Sequence, residues 1–266
     1  MARIDVSGLG KSFQAIKGET VEAIRDLTLS VGDNQFVSIV GPSGCGKSTL
    51  LYIIAGFITP TRGEVRVDDR PVQGPGPDRG IVFQEDALFP WRSVQDNIRY
   101  GLEEKGVSRD EAARIVDKYV RLMGLQGFQH KYPRELSGGM KQRVALARTL
   151  AYDPDVLLMD EPFGALDAQT RELQQDELLA IWRERKKTVL FITHSVEEAV
   201  YLSEKVVVMT TRPGRIKSVV DVDLDRARTR EDVVTSEEFA RLRNRVWLEV
   251  REEVLKFYEA TRESGG

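Results

Sequence analysis

The sequence predicts an α/β fold with a glycine-rich loop at one edge of its sheet, and three observations carry that prediction. Short apolar runs at 36–40, 81–83, 156–159, 188–193 and 206–209 read as buried strands, with helical apolar spacing between them. The first run leads directly into Gly41-Pro42-Ser43-Gly44-Cys45-Gly46-Lys47-Ser48-Thr49, so the order is strand, glycine loop, helix. Polar residues stand at the ends of later runs: Gln84, then Asp160 with Glu161, then His194. That is where α/β sheets place their ligand sites.

Composition bounds the rest. At 266 residues the chain is long enough for one large domain, or for a domain with a lobe and a tail. A content of 41% hydrophobic and 30% charged residues argues against global disorder. A formal charge of −3 gives no general electrostatic footprint for nucleic acid, which is not expected as a partner. No apolar run approaches the roughly 18 residues of a spanning helix, and Met1-Ala2-Arg3-Ile4-Asp5 lacks a signal-peptide apolar region, so a cytosolic chain is expected. The single cysteine, Cys45, excludes an intramolecular disulfide and reads as a small space-filling residue of the glycine loop.

In chain order, Ile4, Val6 and Leu9 precede Phe13, a polar stretch covers 14–22, and a second apolar run covers 23–31. This predicts two strands joined by a loop. Phe13, near a strand end, is either core or a face on which a nucleotide base stacks. A helix runs from the glycine loop to Gly56 and Pro60, and 63–72 alternates like a short half-exposed strand. From Glu85 to Gln129 the character is helical: Ser108 and Glu111 form a capping box, and Ala112, Ile115, Val116, Tyr119, Val120 and Met123 make one apolar face. The entrance to this lobe, Leu88-Phe89-Pro90-Trp91, is either an internal staple or an exposed docking patch. Helices are expected over 143–152 and from Ala165 to Trp182. An edge strand or hairpin arm is expected over 214–222 and a charged linker over 223–235. In the terminal helix Phe239, Leu242, Val246, Val250, Val254 and Phe257 form an apolar face for packing back or for dimerisation.

The chemistry follows from residue type and place. Glycines let the loop backbone turn its N–H groups toward phosphate oxygens, and the helix beginning near Lys47 aims its positive end at the same anion. Lys47 adds a point charge for the β- and γ-phosphates, and the Ser48 hydroxyl is placed for Mg²⁺. Ser137, Gly138 and Gly139 ahead of a helix form either a second anion site or a simple cap. Asp160 and Glu161 fall on opposite sides of a strand tip, which divides a metal-supporting role from that of polarising the attacking water. Gln84 offers an amide oxygen to metal or water, His194 is either structural or a donor to a γ-phosphate oxygen, and His130 reads as solvated surface.

Taken together, Gly41 to Ser48, Gln84, Leu136 to Gln142, Asp160-Glu161, Asp167 and His194 occur in an order that resembles the ATP-binding subunits of ABC transporters: Walker A, Q-loop, signature, Walker B, D-loop and switch histidine. The resemblance covers about residues 4–216, and the segments 80–91, 160–171 and 193–216 are similar to the nitrate, sulfonate and taurine branch of bacterial importers. Met140 stands where many relatives have Gln, and Phe13 where Tyr is frequent. The resemblance implies a P-loop NTPase with a RecA-like core, an N-terminal antiparallel β-subdomain and an inserted α-helical subdomain at about 86–150, all within an ATP-binding domain of 1–222. A linker and C-terminal amphipathic helix follow over 223–266.

The same resemblance implies ATP held by Phe13, the loop Gly41, Pro42, Ser43, Gly44, Cys45, Gly46, Lys47, Ser48 and Thr49, and by Gln84, Ser137, Gly138, Gly139, Asp160, Asp167 and His194. Mg²⁺ falls to Ser48, Gln84 and Asp160, and hydrolysis to Glu161, His194, Gln84 and Lys47. It further implies a homodimer that sandwiches two nucleotides, with Ser137 and Gly139 of one subunit over the γ-phosphate held by the other. Membrane permease subunits, a solute-binding protein acting indirectly, and a place on the cytoplasmic face of the membrane complete the expectation. A DNA-repair ATPase of the same superfamily is disfavoured by the absence of cysteine pairs and of a sustained heptad stretch, and a GTPase by the absence of an Asn-Lys-x-Asp sequence.

Overall fold

A computed structural model describes residues 2–14, 20–85, 87–225 and 228–263. The middle of the first expected loop (15–19), Asp86, and residues 226–227 of the expected linker lie outside the described residues. The chain opens with β1 (Ile4–Gln14), β2 (Thr20–Val31), β3 (Phe36–Val40), α1 (Lys47–Ile54), β4 (Arg62–Val67) and β5 (Arg70–Pro71). It continues with β6 (Arg79–Val82), α2 (Val94–Glu104), α3 (Arg109–Leu122), a turn of 3-10 helix (Pro133–Glu135), α4 (Gly138–Ala151), β7 (Val156–Asp160) and α5 (Ala168–Arg185). It closes with β8 (Thr188–Ile192), α6 (Val196–Leu202), β9 (Lys205–Met209), β10 (Ile216–Asp221), α7 (Arg230–Val234) and α8 (Glu237–Glu263). The α/β class expected from the sequence is the class observed, with an antiparallel sheet near the N-terminus and a helix at the C-terminus.

Two compact units divide the chain, Met1–Gly76 with Lys186–Gly266, and Pro77–Arg185. The first holds an antiparallel sheet in the order β2-β1-β4-β5, with Ile4 opposite Val31 on one side and Val67 on the other. Alternation turns Ile4 and Val6 into its core, and an irregularity in the pairing with β2 between Val6 and Leu9 brings Leu9 in as well. The single strand expected over 63–72 is in fact a hairpin: Asp68 and Asp69 take left-handed backbone, φ 49° and 60°, and the chain reverses there. Aspartate tolerates that region better than most residues, which is why a turn without glycine went unread.

The same unit carries strands in the order β10-β9-β3-β8, β3 parallel to both neighbours and β10 antiparallel to β9. Every residue of β3 and β8 is buried, as continuous apolar runs require of strands covered on both faces. Ser38, buried in β3, accepts a hydrogen bond from the Ser203 hydroxyl at 2.7 Å, so its burial is compensated. Helix α8 folds back on α6 and β9. Phe239, Leu242 and Val246 are buried there, each worth about 1.5–3 kcal/mol. Farther along, the expected face departs from the observed one: Val250 and Val254 are half-buried, Phe257 is exposed, and Glu253 is buried. Among its described residues the expected linker contains one regular element, α7, capped where the Thr229 hydroxyl accepts from the Asp232 N–H.

In the second unit β6 and β7 pair in parallel, Val82 beside Met159. Helix α3 buries Ala112, Val116, Tyr119 and Val120, and Met123 at its C-cap, close to the predicted stripe. The Ser108 hydroxyl accepts from the Glu111 N–H as its N-cap, while the Glu111 carboxylate turns to Arg114. Helix α4 begins earlier than expected. Gly138 and Gly139 lie in its first turn rather than ahead of it, because Ser137 caps it by accepting from the Met140 N–H at 3.3 Å.

Candidate functional site

The glycine loop leaves the end of β3 and enters α1 through Gly46, which has φ 105° and caps the helix without a side chain. A Cβ at Gly46 would stand 2.9 Å from the carbonyl oxygen of Ala23, so both conformation and space require glycine. Lys47 is 95% buried, and its Nζ donates to the Gly41 and Pro42 carbonyls at 2.9 Å each, which holds the ammonium against the loop. Cys45 Sγ lies 3.8 Å from the same Nζ; burial pushes its thiol pKa up, against the opposing pull of Lys47, so it stays protonated and inert. Ser43 and Gly44 are exposed, Gly41 and Pro42 are buried, and Ser48 and Thr49 are half-buried in the first turn of α1.

His194 follows β8 on the same edge, since Ile192 is in register with Ile39 and Thr193 N–H donates to the Ile39 carbonyl at 3.3 Å. Its neighbours fix its backbone. Thr193 accepts from the Ser195 N–H and donates to the buried Glu198 carboxylate, and Ser195 caps α6 by accepting from the Glu198 N–H. The imidazole itself is exposed. Phe13 is 41% exposed rather than core, with Lys11 Nζ 4.9 Å above its ring.

The second unit repeats the logic at the ends of β6 and β7. Gln84 is exposed and its Nε2 donates to Glu161 Oε2 at 3.2 Å. Asp160 is fully buried, while Glu161 is half-exposed. Glu161 takes left-handed backbone at φ 51°, a conformation that costs a non-glycine residue about 1–2 kcal/mol and that accumulates at functional sites. Sequence reasoning missed what holds it there. Gln142, buried in α4, donates from Nε2 to the Glu161 carbonyl at 3.1 Å and accepts at Oε1 from the Ala165 N–H at 3.0 Å. One amide thus ties the helix begun by Ser137 to both ends of the Glu161 turn; its place in the signature was the only available signal. Asp167 caps α5, and the Thr170 N–H bond lowers its pKa below the usual carboxylate range. Ser137 and Gly138 are exposed and Gly139 is half-buried.

The donors suit a hard cation. Among the described residues no three His, Cys, Asp or Glu gather around a metal position. The first unit offers the Ser48 hydroxyl, and the second an amide at Gln84 and a carboxylate at Asp160; each by its chemistry is an oxygen donor of the kind a hard cation takes. No helix of the described residues is long and apolar enough to cross a membrane.

The family model described as ABC transporter matches residues 24–164. The chain is 53% identical over 254 residues to an uncharacterized ABC transporter ATP-binding protein of Methanocaldococcus jannaschii, across 96% of this chain and 93% of that protein. It is 49% identical to a nitrate import ATP-binding protein of Synechococcus elongatus, across 88% and 86%. Its identity to a taurine import ATP-binding protein of Roseobacter denitrificans is also 49%, across 81% of each. Among solved structures, a dimeric ATP-binding cassette in a post-hydrolysis state with ADP and Pi matches with a TM-score of 0.76 and 30% identity, across 83% of this chain and 99% of that one. Since that identity extends along nearly its whole length and the family model spans its phosphate loop and acidic strand, this chain belongs to the ATP-hydrolysing subunits of the ABC transporters.

Proposed function

We propose that the chain hydrolyses ATP with the residues expected from its sequence and couples that reaction to import of a small anion of the nitrate, sulfonate or taurine class through separate membrane subunits. The names of the relatives support the importer reading and the substrate class. In this reading Lys47 and the N–H groups of 41–49 bind the phosphates, Phe13 stacks on the base, and Ser48, Gln84 and Asp160 hold Mg²⁺. The cation, when bound, neutralises charge on the phosphate oxygens. Glu161 orients and polarises the attacking water, and His194 donates to the γ-phosphate. The observation that carries the hydrolytic assignment is Glu161 itself: a half-exposed carboxylate at a strand tip, held in a costly backbone state with Gln84 on its side chain and Gln142 on its carbonyl.

One subunit offers too few donors for the charge that spreads over a transferred phosphoryl group. We therefore assign Ser137 and Gly139 to the γ-phosphate of a second copy and Asp167 to the seam between copies, with ATP favouring the closed dimer; the dimeric relative with ADP and Pi supports this arrangement. The domain limits follow the same reading, with residues 1–222 as the ATP-binding domain, about 86–150 as its helical subdomain and 223–266 as linker and terminal helix. The permease is assigned to an apolar groove of about 400 Å³ in the second unit, lined among others by Phe83, Ala87, Phe89, Tyr100 and Tyr152. A solute-binding protein would act beyond the membrane, with this chain on the cytoplasmic face.

Glu161→Gln tests the core of the reading. It should keep ATP binding, lose on the order of 10²- to 10⁴-fold in hydrolysis and accumulate an ATP-bound dimer. Unchanged turnover removes Glu161 from the role of water-activating group.

A further inference from the structure

We infer that Glu253 of α8 is a positioning residue for the phosphate loop, which it supports through the segment from Thr210 to Arg215. The side chain is 3% exposed, on a helix face whose spacing otherwise reads as apolar. A buried carboxylate is costly unless its oxygens are satisfied, and these are. Oε2 accepts from the Thr211 N–H at 3.1 Å, and Oε1 lies 3.1 Å from Lys217 Nζ and 2.9 Å from Lys256 Nζ. Burial pushes its pKa up, but the bonds from Lys256, Thr211 N–H and Lys217 outweigh that and hold the carboxyl charged, below its usual range. An apolar residue would fill this position without such compensation, so packing alone does not account for the glutamate.

The segment it holds is a wall of the loop. Thr210 and Arg215 close it, N–H to carbonyl at 2.9 Å, with Arg215 N–H also on the Thr210 hydroxyl at 3.0 Å. At its far end Gly214 donates to the Ala23 carbonyl at 2.9 Å and accepts from the Arg25 N–H at 3.0 Å. Gly214 is pressed so closely on the loop that a Cβ there would stand 2.1 Å from the Cys45 carbonyl oxygen. Arg212 Nε reaches the Gly44 carbonyl at 3.4 Å, and Ala23 in turn lies under Gly46. The path from helix to loop is therefore Glu253, Thr211 N–H, then Arg212 and Gly214, then Gly44 and Cys45. Neither Glu253 nor the 210–215 segment is among the residues assigned to ATP or to the reacting groups; only the end of the path, Gly44 and Cys45, belongs to the loop. What it sets is where the loop's N–H groups sit, so its effect falls on nucleotide binding rather than on the hydrolytic step.

The inference rests on residues 41–49 as the ATP phosphate site. ATP affinity is measured by titration, and turnover at saturating ATP beside it, on the full chain. Glu253→Met keeps volume and burial but removes both acceptor oxygens; affinity should fall about tenfold with saturated turnover within about twofold. Glu253→Gln keeps an acceptor for the Thr211 N–H and should restore most of the affinity. Arg212→Ala, at an exposed position, should weaken binding about threefold alone and add little to Glu253→Met, because both lie on one path. Wild-type affinity in Glu253→Met, equal losses in the Gln and Met variants, or additive losses in the double variant would each overturn the inference. If Glu253→Met does not purify folded, Arg212→Ala and Glu253→Gln decide it: wild-type affinity in Arg212→Ala, or a tenfold loss in Glu253→Gln, overturns the inference. A wild-type chain that binds no ATP defeats the underlying reading instead, which keeps the two failures apart.

Discussion

The Gln84 side-chain amide stands 3.2 Å from Oε2 of Glu161, so the end of β6 donates directly to the end of β7. The amide N–H thereby orients the carboxylate assigned to polarise the attacking water. Gln84→Glu removes that donor and sets a second carboxylate beside Glu161, whose charge repels it from this position. Turnover at saturating ATP should fall at least severalfold. Unchanged turnover would show that the bond from Gln84 does not position Glu161.

Lys47→Ala tests the loop. The two loop carbonyls that Nζ now bonds, Gly41 and Pro42, lose their donor, and the phosphates lose their cation. Tight ATP binding should be lost, by about 10²-fold or more, with the fold retained because the strand and helix on either side are independently packed. Normal affinity in a calorimetric titration would contradict the phosphate assignment.

Phe89 and Trp91 divide the two sequence-level options for their segment. Phe89 is packed: its ring meets Tyr100 at 4.7 Å edge-on, Arg148 lies 5.5 Å over it, and its N–H donates to the buried Asn97 side chain at 3.0 Å. Trp91 is 72% exposed. Trp91→Ala should therefore leave thermal stability and basal hydrolysis unchanged but weaken the ATPase response to reconstituted permease, whereas Phe89→Ala should lower the melting temperature. Equal coupling by Trp91→Ala would remove it from the docking surface.

What was legible in the sequence was local. The glycine loop, the capping serines and the acidic strand tip each announce themselves within about ten residues, since turn, dipole and strand alternation are short-range physics. What was not legible depended on distant partners. The hydrogen-bond partner and one cation that make a buried Glu253 tolerable come from Thr211 and Lys217, far along the chain, so its neighbours Val250 and Val254 gave no warning. Gln142 acts through the carbonyl of Glu161 and the N–H of Ala165, backbone groups whose geometry no side-chain pattern encodes. The turn at Asp68 and Asp69 was missed for a third reason, left-handed backbone carried by aspartate instead of glycine.

The cluster that anchors α8 has a pH signature. Hydrogen bonds from Lys217 and Lys256 hold the Glu252 carboxyl down to about 2, against an ordinary 4.5. A carboxyl depressed in the folded state contributes stability that is fully present above its unfolded value and is lost as pH falls through the folded one. The window is therefore about pH 4.5 to 2, and nothing changes above it. Melting temperatures recorded at pH 5, 4 and 3 should fall more steeply for the wild type than for Glu252→Gln, with Trp247 emission reporting on the helix. Parallel slopes would show that this pair adds nothing to the tether.

Gly214→Ala isolates the wall from the helix that holds it. A Cβ there meets the Cys45 carbonyl oxygen at 2.1 Å and Met209 Cε at 2.8 Å. The methionine end can swing away, but the carbonyl belongs to the phosphate loop and moves only if the loop moves. Overpacking of this kind costs about 1–3 kcal/mol. Because the strain falls on Cys45, next to Gly46 and Lys47, ATP affinity should drop by about tenfold alongside a lower melting temperature. Gly74→Ala is the matched control, as its Cβ meets nothing within 4 Å. Wild-type ATP affinity in Gly214→Ala, with the same melting temperature as the control, would mean that the loop tolerates displacement of its wall, and the placement of Gly214 against Cys45 would carry no consequence for binding.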